Sequence, residues 1–120
     1  MKYMLLIYNN PAVYEGWPEA EREALFAEVD AIMAELRESG EWVDGAGLAD
    51  VSNTRTVRVR SGVVTATDGP FVEAKEQFAG YLTVECDTPE RAVEIAARWP
   101  DARHFAMEVR PVMSTAGDDM

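Results

Sequence analysis

Lys2-Tyr3-Met4-Leu5-Leu6-Ile7-Tyr8 is the stretch on which the architecture turns. Successive side chains of a strand point to opposite faces, so Tyr3, Leu5 and Ile7 share one side and Met4, Leu6 and Tyr8 the other. Both sets are apolar. A strand of that kind is covered on both faces and belongs in the middle of a sheet. Asn9, Asn10 and Pro11 then stop it. The run is too short for a signal peptide and far too short to span a membrane.

Working outward, residues 9–17 read as a loop and residues 18–39 as a long helix. Pro18 suits the first helical position, and Glu19, Glu21 and Glu23 suit the positive end of the helix dipole. Leu25, Val29, Ile32 and Leu36 form one apolar stripe, and Gly40 ends it. Residues 42–48 read as a second strand, in which Gly45 and Gly47 imply a bulge or a close backbone approach. Residues 54–67 read as a hairpin around Ser61-Gly62, with Arg60 facing Val63, Val59 facing Val64 and Val57 facing Ala66. Val57, Val59, Val64 and Ala66 then share one face, and the hairpin is expected to have one wet side. Residues 78–85 form a further strand, with Phe78, Leu82 and Val84 on one side and Tyr81, Thr83 and Glu85 on the other. Asp87, Thr88 and Pro89 start a second helix whose stripe is Ala92, Ile95, Ala96 and Trp99. Pro100 ends it, and residues 104–112 form the last strand.

The order is strand, helix, strand, hairpin, strand, helix, strand. It predicts an α+β fold: a ferredoxin-like sandwich with an antiparallel sheet and two helices on one face. The other face of the apolar first strand then needs a cover, and a second copy of the chain is the simplest, giving a dimeric α/β-barrel-like assembly. Residues 1–113 are expected to be a single domain and residues 114–120 a flexible acidic tail.

The chain has 120 residues, 48% apolar and 28% charged. That is enough for one core without metal or disulfide staples. Eleven basic side chains stand against 22 acidic ones, a net charge of -11. Nucleic acid and anionic membrane both demand a cationic footprint, so neither is an expected partner. Cys86 is the single cysteine. It cannot form an intrachain bridge, continues the Leu82 and Val84 face, and fits a cytoplasmic protein.

The chemistry concentrates in residues 68–81, Asp68-Gly-Pro-Phe-Val-Glu-Ala-Lys-Glu-Gln-Phe-Ala-Gly-Tyr81. Asp68, Gly69 and Pro70 are turn formers for separate reasons: a side chain that bonds its own backbone, free φ, and fixed φ. Asp68 is either a turn cap or a carboxylate at a cleft edge acting as a general base. Lys75 is its electrostatic partner if the two are desolvated. Glu73 and Glu76 are ligand-binding candidates, or else solvated charges of little energetic value. Tyr81 and Arg110 are candidate orienting groups on the non-helix face, with Arg110 pairing a glutamate as the other reading. His104 is a ligand-binding or acid/base candidate, or an ordinary strand-end residue. One His, one Cys and no ligand-spaced cluster argue against a metal. No phosphate loop or dinucleotide fingerprint is present, so no cofactor is expected.

Asp68-Gly-Pro-Phe71 with Glu73, Lys75-Glu76, Gly80-Tyr81, Ala96-Ala-Arg-Trp-Pro100 and Glu108-Val-Arg-Pro-Val112 resembles the DGPF proteins of the YCII-related group, over nearly the whole chain. The resemblance implies a small, dimeric, ferredoxin-like α+β protein, mostly bacterial and of undefined biochemical role. Some such members are associated with extracytoplasmic-function sigma factors. YCII proteins proper carry a His–Asp pair with the His on the first helix, and this chain has no His between Pro18 and Gly40. Two functions follow: a small-molecule cleft with cofactor-free acid/base chemistry, or a non-catalytic regulatory module whose acidic surface docks a protein partner.

Overall fold

In the computed structural model, which describes residues 1–71 and 74–114, strand β1 (Lys2–Asn9) lies inside a four-stranded antiparallel sheet. It pairs with β5 (Gln77–Glu85) on one edge and β6 (Ala106–Pro111) on the other. The far edge of β5 takes β2 (Trp42–Gly47), giving the order β2-β5-β1-β6. Tyr3 stands opposite Val84, and Leu5 is flanked by Leu82 and Val109.

Those side chains meet the two long helices. Helix α2 (Glu19–Ser39) contributes Ile32 and Leu36, and α3 (Pro89–Arg98) contributes Ala92, Ile95 and Ala96, all buried with Tyr3, Leu5, Leu82 and Val84. Both helices therefore cover one face of the sheet. The α2 stripe divides along its length. Ile32 and Leu36 are buried, Val29 packs at the edge of the core, and Leu25 lines a cavity. The helix ends at Gly40, φ 80°, where Glu41 N–H donates to the Leu36 carbonyl at 2.9 Å. Thr88 Oγ1 caps α3 by accepting the Arg91 N–H at 3.1 Å. Cys86 and Trp99 complete the core.

Two short helices stand where the sequence predicts a loop and a strand start. Helix α1 (Pro11–Glu15) follows Asn10, whose side chain accepts the Ala12 N–H at 3.1 Å. Helix α4 (Pro100–His104) follows Trp99 directly. Each has five residues, too few for an apolar period to show, and each begins with a proline that suits a first helical turn. His104 thus ends a helix, and the last strand starts at Ala106 rather than His104.

A register shift between Ile7 and Tyr8 leaves Ala79 as an extra residue of β5. The alternation reverses there. Phe78 consequently faces Tyr8, ring centroids 5.8 Å apart, instead of sharing a side with Leu82 and Val84. Just beyond the bulge, a Cβ on Gly80 would lie 2.6 Å from the Ala46 carbonyl oxygen. The close approach of β2 and β5 depends on that missing atom.

Strands β3 (Arg55–Arg60) and β4 (Val63–Asp68) form a separate two-stranded sheet. Ser61 at φ 51° and Gly62 at φ 77° make the two-residue turn, and the pairing is the one read from the sequence. The expected dry side is missing. Among the twelve strand residues only Thr56 is even half-buried. Among the described residues nothing packs over the hairpin, so its valine face is as wet as its threonine face. The radius of gyration is 16.6 Å, against about 14 Å for a compact domain of this length.

Arg91 clips α3 to the turn after α2. Its Nε and Nη2 donate to the two Glu41 carboxylate oxygens at 2.8 and 2.9 Å. This bidentate contact lowers the Glu41 pKa from 4.5 to about 2. A depressed carboxylate contributes stability above its unfolded pKa and loses it as pH falls. Urea melts should therefore show a component of stability intact above pH 4.5 and disappearing toward pH 2. Glu41→Gln should remove that component and cost about 1–2 kcal/mol at neutral pH. Gly80→Ala should cost about 1–3 kcal/mol in the same assay, because backbone must move to admit the methyl group.

Candidate functional site

Where β1 ends, the chain leaves a cavity of about 620 Å³. Its walls come from the last residue of β1, from α1, from the amino-terminal half of α2, from the segment after β2 and from the start of β5. Leu25, Phe26, Val29, Leu48, Val51 and Phe78 make it mainly apolar. Polar side chains share the lining, and two of them carry its chemistry.

Asp101 sits in the first turn of α4, only 8% exposed. Its Oδ2 accepts from Tyr14 Oη at 3.0 Å and from Asn9 Nδ2 at 3.1 Å. Three elements distant in sequence therefore converge on one carboxylate oxygen. Burial, and then the Asp101 charge beside it, pushes the Tyr14 phenol well above its ordinary value. Tyr14 is thus a fixed donor that keeps its proton.

The second polar group is Arg22. Its Nε is fully buried and has no hydrogen-bond partner among the described residues. A buried donor without an acceptor is costly, and such an atom in a cavity wall is a natural contact for a ligand acceptor. Glu15, Glu19, Glu23 and Asp50 also line the cavity, so its surroundings disfavour polyanions.

An aromatic cluster backs the site. Tyr14 meets Trp17 edge-on at 5.0 Å and Phe105 at 5.2 Å, and Trp17 meets His104 at 4.8 Å. Arg103 donates through both guanidinium nitrogens to Glu28 at 2.8 Å, tying α4 to α2. That contact holds the Glu28 carboxyl below its ordinary range. Tyr14 and Asp101 are therefore held from both sides of the chain.

The residues singled out in the sequence lie elsewhere. Asp68 ends β4 with its side chain 95% exposed and 3.9 Å from Arg55 Nε. The turn bonds run through the backbone: Gly69 N–H donates to Thr54 and its carbonyl accepts from Thr56 Oγ1, each at 2.8 Å. Lys75 and Glu76 are exposed just before β5, and Glu73 lies outside the described residues. Tyr81 and Arg110 share the face of the sheet away from the long helices. Tyr81 is half-buried beside Leu6, and Arg110 is exposed beside Met4. On that face the Glu108 carboxylate beside Tyr8 raises the Tyr8 phenol above its ordinary value. His104 is exposed and packs on Trp17. Among the described residues, Asp68, Lys75, Glu76, Tyr81, His104 and Arg110 do not line the cavity, whereas Gln77 and Phe78 from the same charged run do.

Asn9, Tyr14, Arg22 and Asp101 carry no sequence signal of their own. Asn9 and Asp101 read as a strand stop and a residue after a helix-ending proline. Their contact spans 92 positions, and that of Tyr14 with Asp101 spans 87. Among the described residues no group of three or more His, Cys, Asp or Glu is placed to hold a metal ion, and no helix is long and apolar enough to cross a membrane.

Asp101→Ala strands the Tyr14 hydroxyl and the Asn9 amide, and should lower stability by about 1–3 kcal/mol. Tyr14→Phe should cost about 1 kcal/mol, and the double variant less than the sum of the two. Equal urea midpoints for Asp101→Ala and the parent would show that this carboxylate is not the anchor.

Residues 1–116 match the family model of the YCII-related domain. The uncharacterized protein R00369 of Rhizobium meliloti (strain 1021) is 30% identical over 114 residues, which is 93% of this chain and 92% of that protein.

Proposed function

We propose that this chain, which belongs to the YCII-related domain family, binds a small organic molecule in the cavity at the end of β1. The observation that carries the reading is the buried Asp101 held by Tyr14 and Asn9 in an apolar cavity of about 620 Å³. Volumes of that order hold drug-sized molecules. The ligand has an apolar body, a donor for Asp101 and an acceptor for Arg22. It is neutral or carries a single negative charge, because the acidic side chains lining the cavity repel more.

If the bound molecule reacts, the chemistry is cofactor-free proton transfer. Asp101 is the base, Arg22 stabilises charge on the acceptor, and Tyr14 holds Asp101 in place. Asp68 and Lys75 are too exposed to act alone. They join a site with Tyr81 and Arg110 only if two copies come together.

That assembly is itself part of the proposal. The strand order and the two helices on one face support a ferredoxin-like arrangement. Met4, Leu6 and Tyr81 then offer the uncovered face of the sheet to a second copy. The net charge of -11 favours a second reading, a regulatory protein that docks a basic segment. Binding of that kind weakens steeply with salt.

A thermal-shift screen against a broad metabolite library separates the two readings. A cavity ligand at one hundred times its Kd stabilises by about 2.7 kcal/mol. The shift should vanish in Asp101→Asn and Arg22→Gln and persist in Asp68→Asn. Silence across the library, or an equal shift in all three variants, would overturn the cavity reading.

A further inference from the structure

Arg22 narrows the class of molecule that the cavity takes, an inference that rests on the cavity reading. It is the one basic side chain among the described lining residues, in company with the carboxylates of Glu15, Glu19, Glu23, Asp50 and Asp101. Among the described residues it forms no ion pair, neither with Glu19 and Glu23 of its own helix nor with any other acid. The side chain is half-buried, and its Nε is fully buried without a hydrogen-bond partner there. A guanidinium carries its charge at any physiological pH. A neutral acceptor would satisfy the N–H and leave that charge unmatched; an anion answers both.

The form of the anion follows from the donor. A guanidinium presents Nε–H and one Nη–H side by side, at the spacing of two oxygens on one carbon. A carboxylate matches this fork in its plane and brings a single negative charge. A phosphate monoester or a dicarboxylate brings a second charge into walls that already hold five carboxylates, and like charges repel there. Asp101 sets the other polar contact. Its Oδ2 is taken by Tyr14 and Asn9, while its Oδ1 accepts from no described group. An ionised carboxylate only accepts, so it takes a hydroxyl from the ligand and turns away a second acid. The apolar wall is uncovered: Phe26 is 69% exposed, Leu48 50% and Phe78 39%. A ring or short chain laid against them takes that surface out of water.

We infer that the cavity selects a hydroxylated monocarboxylic acid. Its carboxylate lies side-on across Arg22, its hydroxyl donates to Asp101, and its apolar body covers Phe26, Leu48 and Phe78.

Isothermal titration calorimetry on the full chain tests this with related probes: para-hydroxyphenylpropanoate, its carboxamide, phenylpropanoate, and para-hydroxybenzylmalonate, which adds a second carboxylate. The Kd of para-hydroxyphenylpropanoate should be at least about tenfold below those of the carboxamide and the malonate, because a charge-assisted pair of bonds exceeds a neutral one and the added charge is repelled. Arg22→Gln should erase the preference for the acid over the carboxamide. Arg22→Lys should restore only part of it, because an ammonium lacks the fork. Asp101→Asn should bring para-hydroxyphenylpropanoate to the level of phenylpropanoate and keep the preference for acid over amide. Arg22→Met keeps the stem without the charge, so its urea midpoint without ligand should equal or exceed the parent's. A lower midpoint there shows a stabilising partner for Arg22 within the chain and overturns the assignment. A carboxamide that binds as tightly as the acid also overturns it, and leaves the cavity reading standing with a neutral ligand. Silence from every probe overturns it too, and the library screen then decides the cavity reading separately: neutral hits that need Asp101 keep it, and silence there ends it.

Discussion

Strand β1 is hydrogen-bonded along its length to β5 on one edge and to β6 on the other. A strand held on both edges has no freedom to slide, because a one-residue slip would turn Tyr3 and Leu5 out of the core. Leu5 is fully buried, with Leu82 and Val109 beside it in register. The position of β1 therefore fixes the faces of β5 and β6. The faces of β5 and β6 fix where α2 and α3 can lie. The end of β1 then determines where the cavity opens.

The cavity exists because α2 is longer than the core it covers. Its carboxy-terminal half buries Ile32 and Leu36 against the sheet. Its amino-terminal half runs past the strand ends, and Leu25, Phe26 and Val29 line the cavity there. The short helices α1 and α4 close that end, and Asp101 joins them through Tyr14 and Asn9. A buried carboxylate is tolerated where donors satisfy it. Here two donors do so, and the same network holds the walls of the site together. Packing and binding chemistry are carried by the same few residues.

The two long helices, the central strand and the hairpin pairing were legible in the sequence because each rests on a local period or a turn. The apolar stripe of α3, Ala92, Ile95, Ala96 and Trp99, is buried as read. The glycines of β2 marked a real close approach, made through Gly45 and opposite Gly80. What failed were features without a period. Helices α1 and α4 are one turn or so long. The bulge at Ala79 reversed Phe78 without any local mark. The dry side expected of the hairpin would have needed a neighbour that sequence pattern does not reveal.

The charged run 68–81 drew attention by composition, and composition reports residue type without reporting burial. Asp68 and Asp101 are the same side chain with opposite surroundings, one 95% exposed by its side chain and the other 8% exposed. The sequence by itself determined the family, the class of fold and the core face of β1 and of the two long helices, since those follow from alternation and helical spacing along contiguous residues. Only the tertiary structure decided which carboxylate is buried, which tyrosine donates to it and where the cavity lies. Those depend on contacts between residues some ninety positions apart, and no local pattern carries that information.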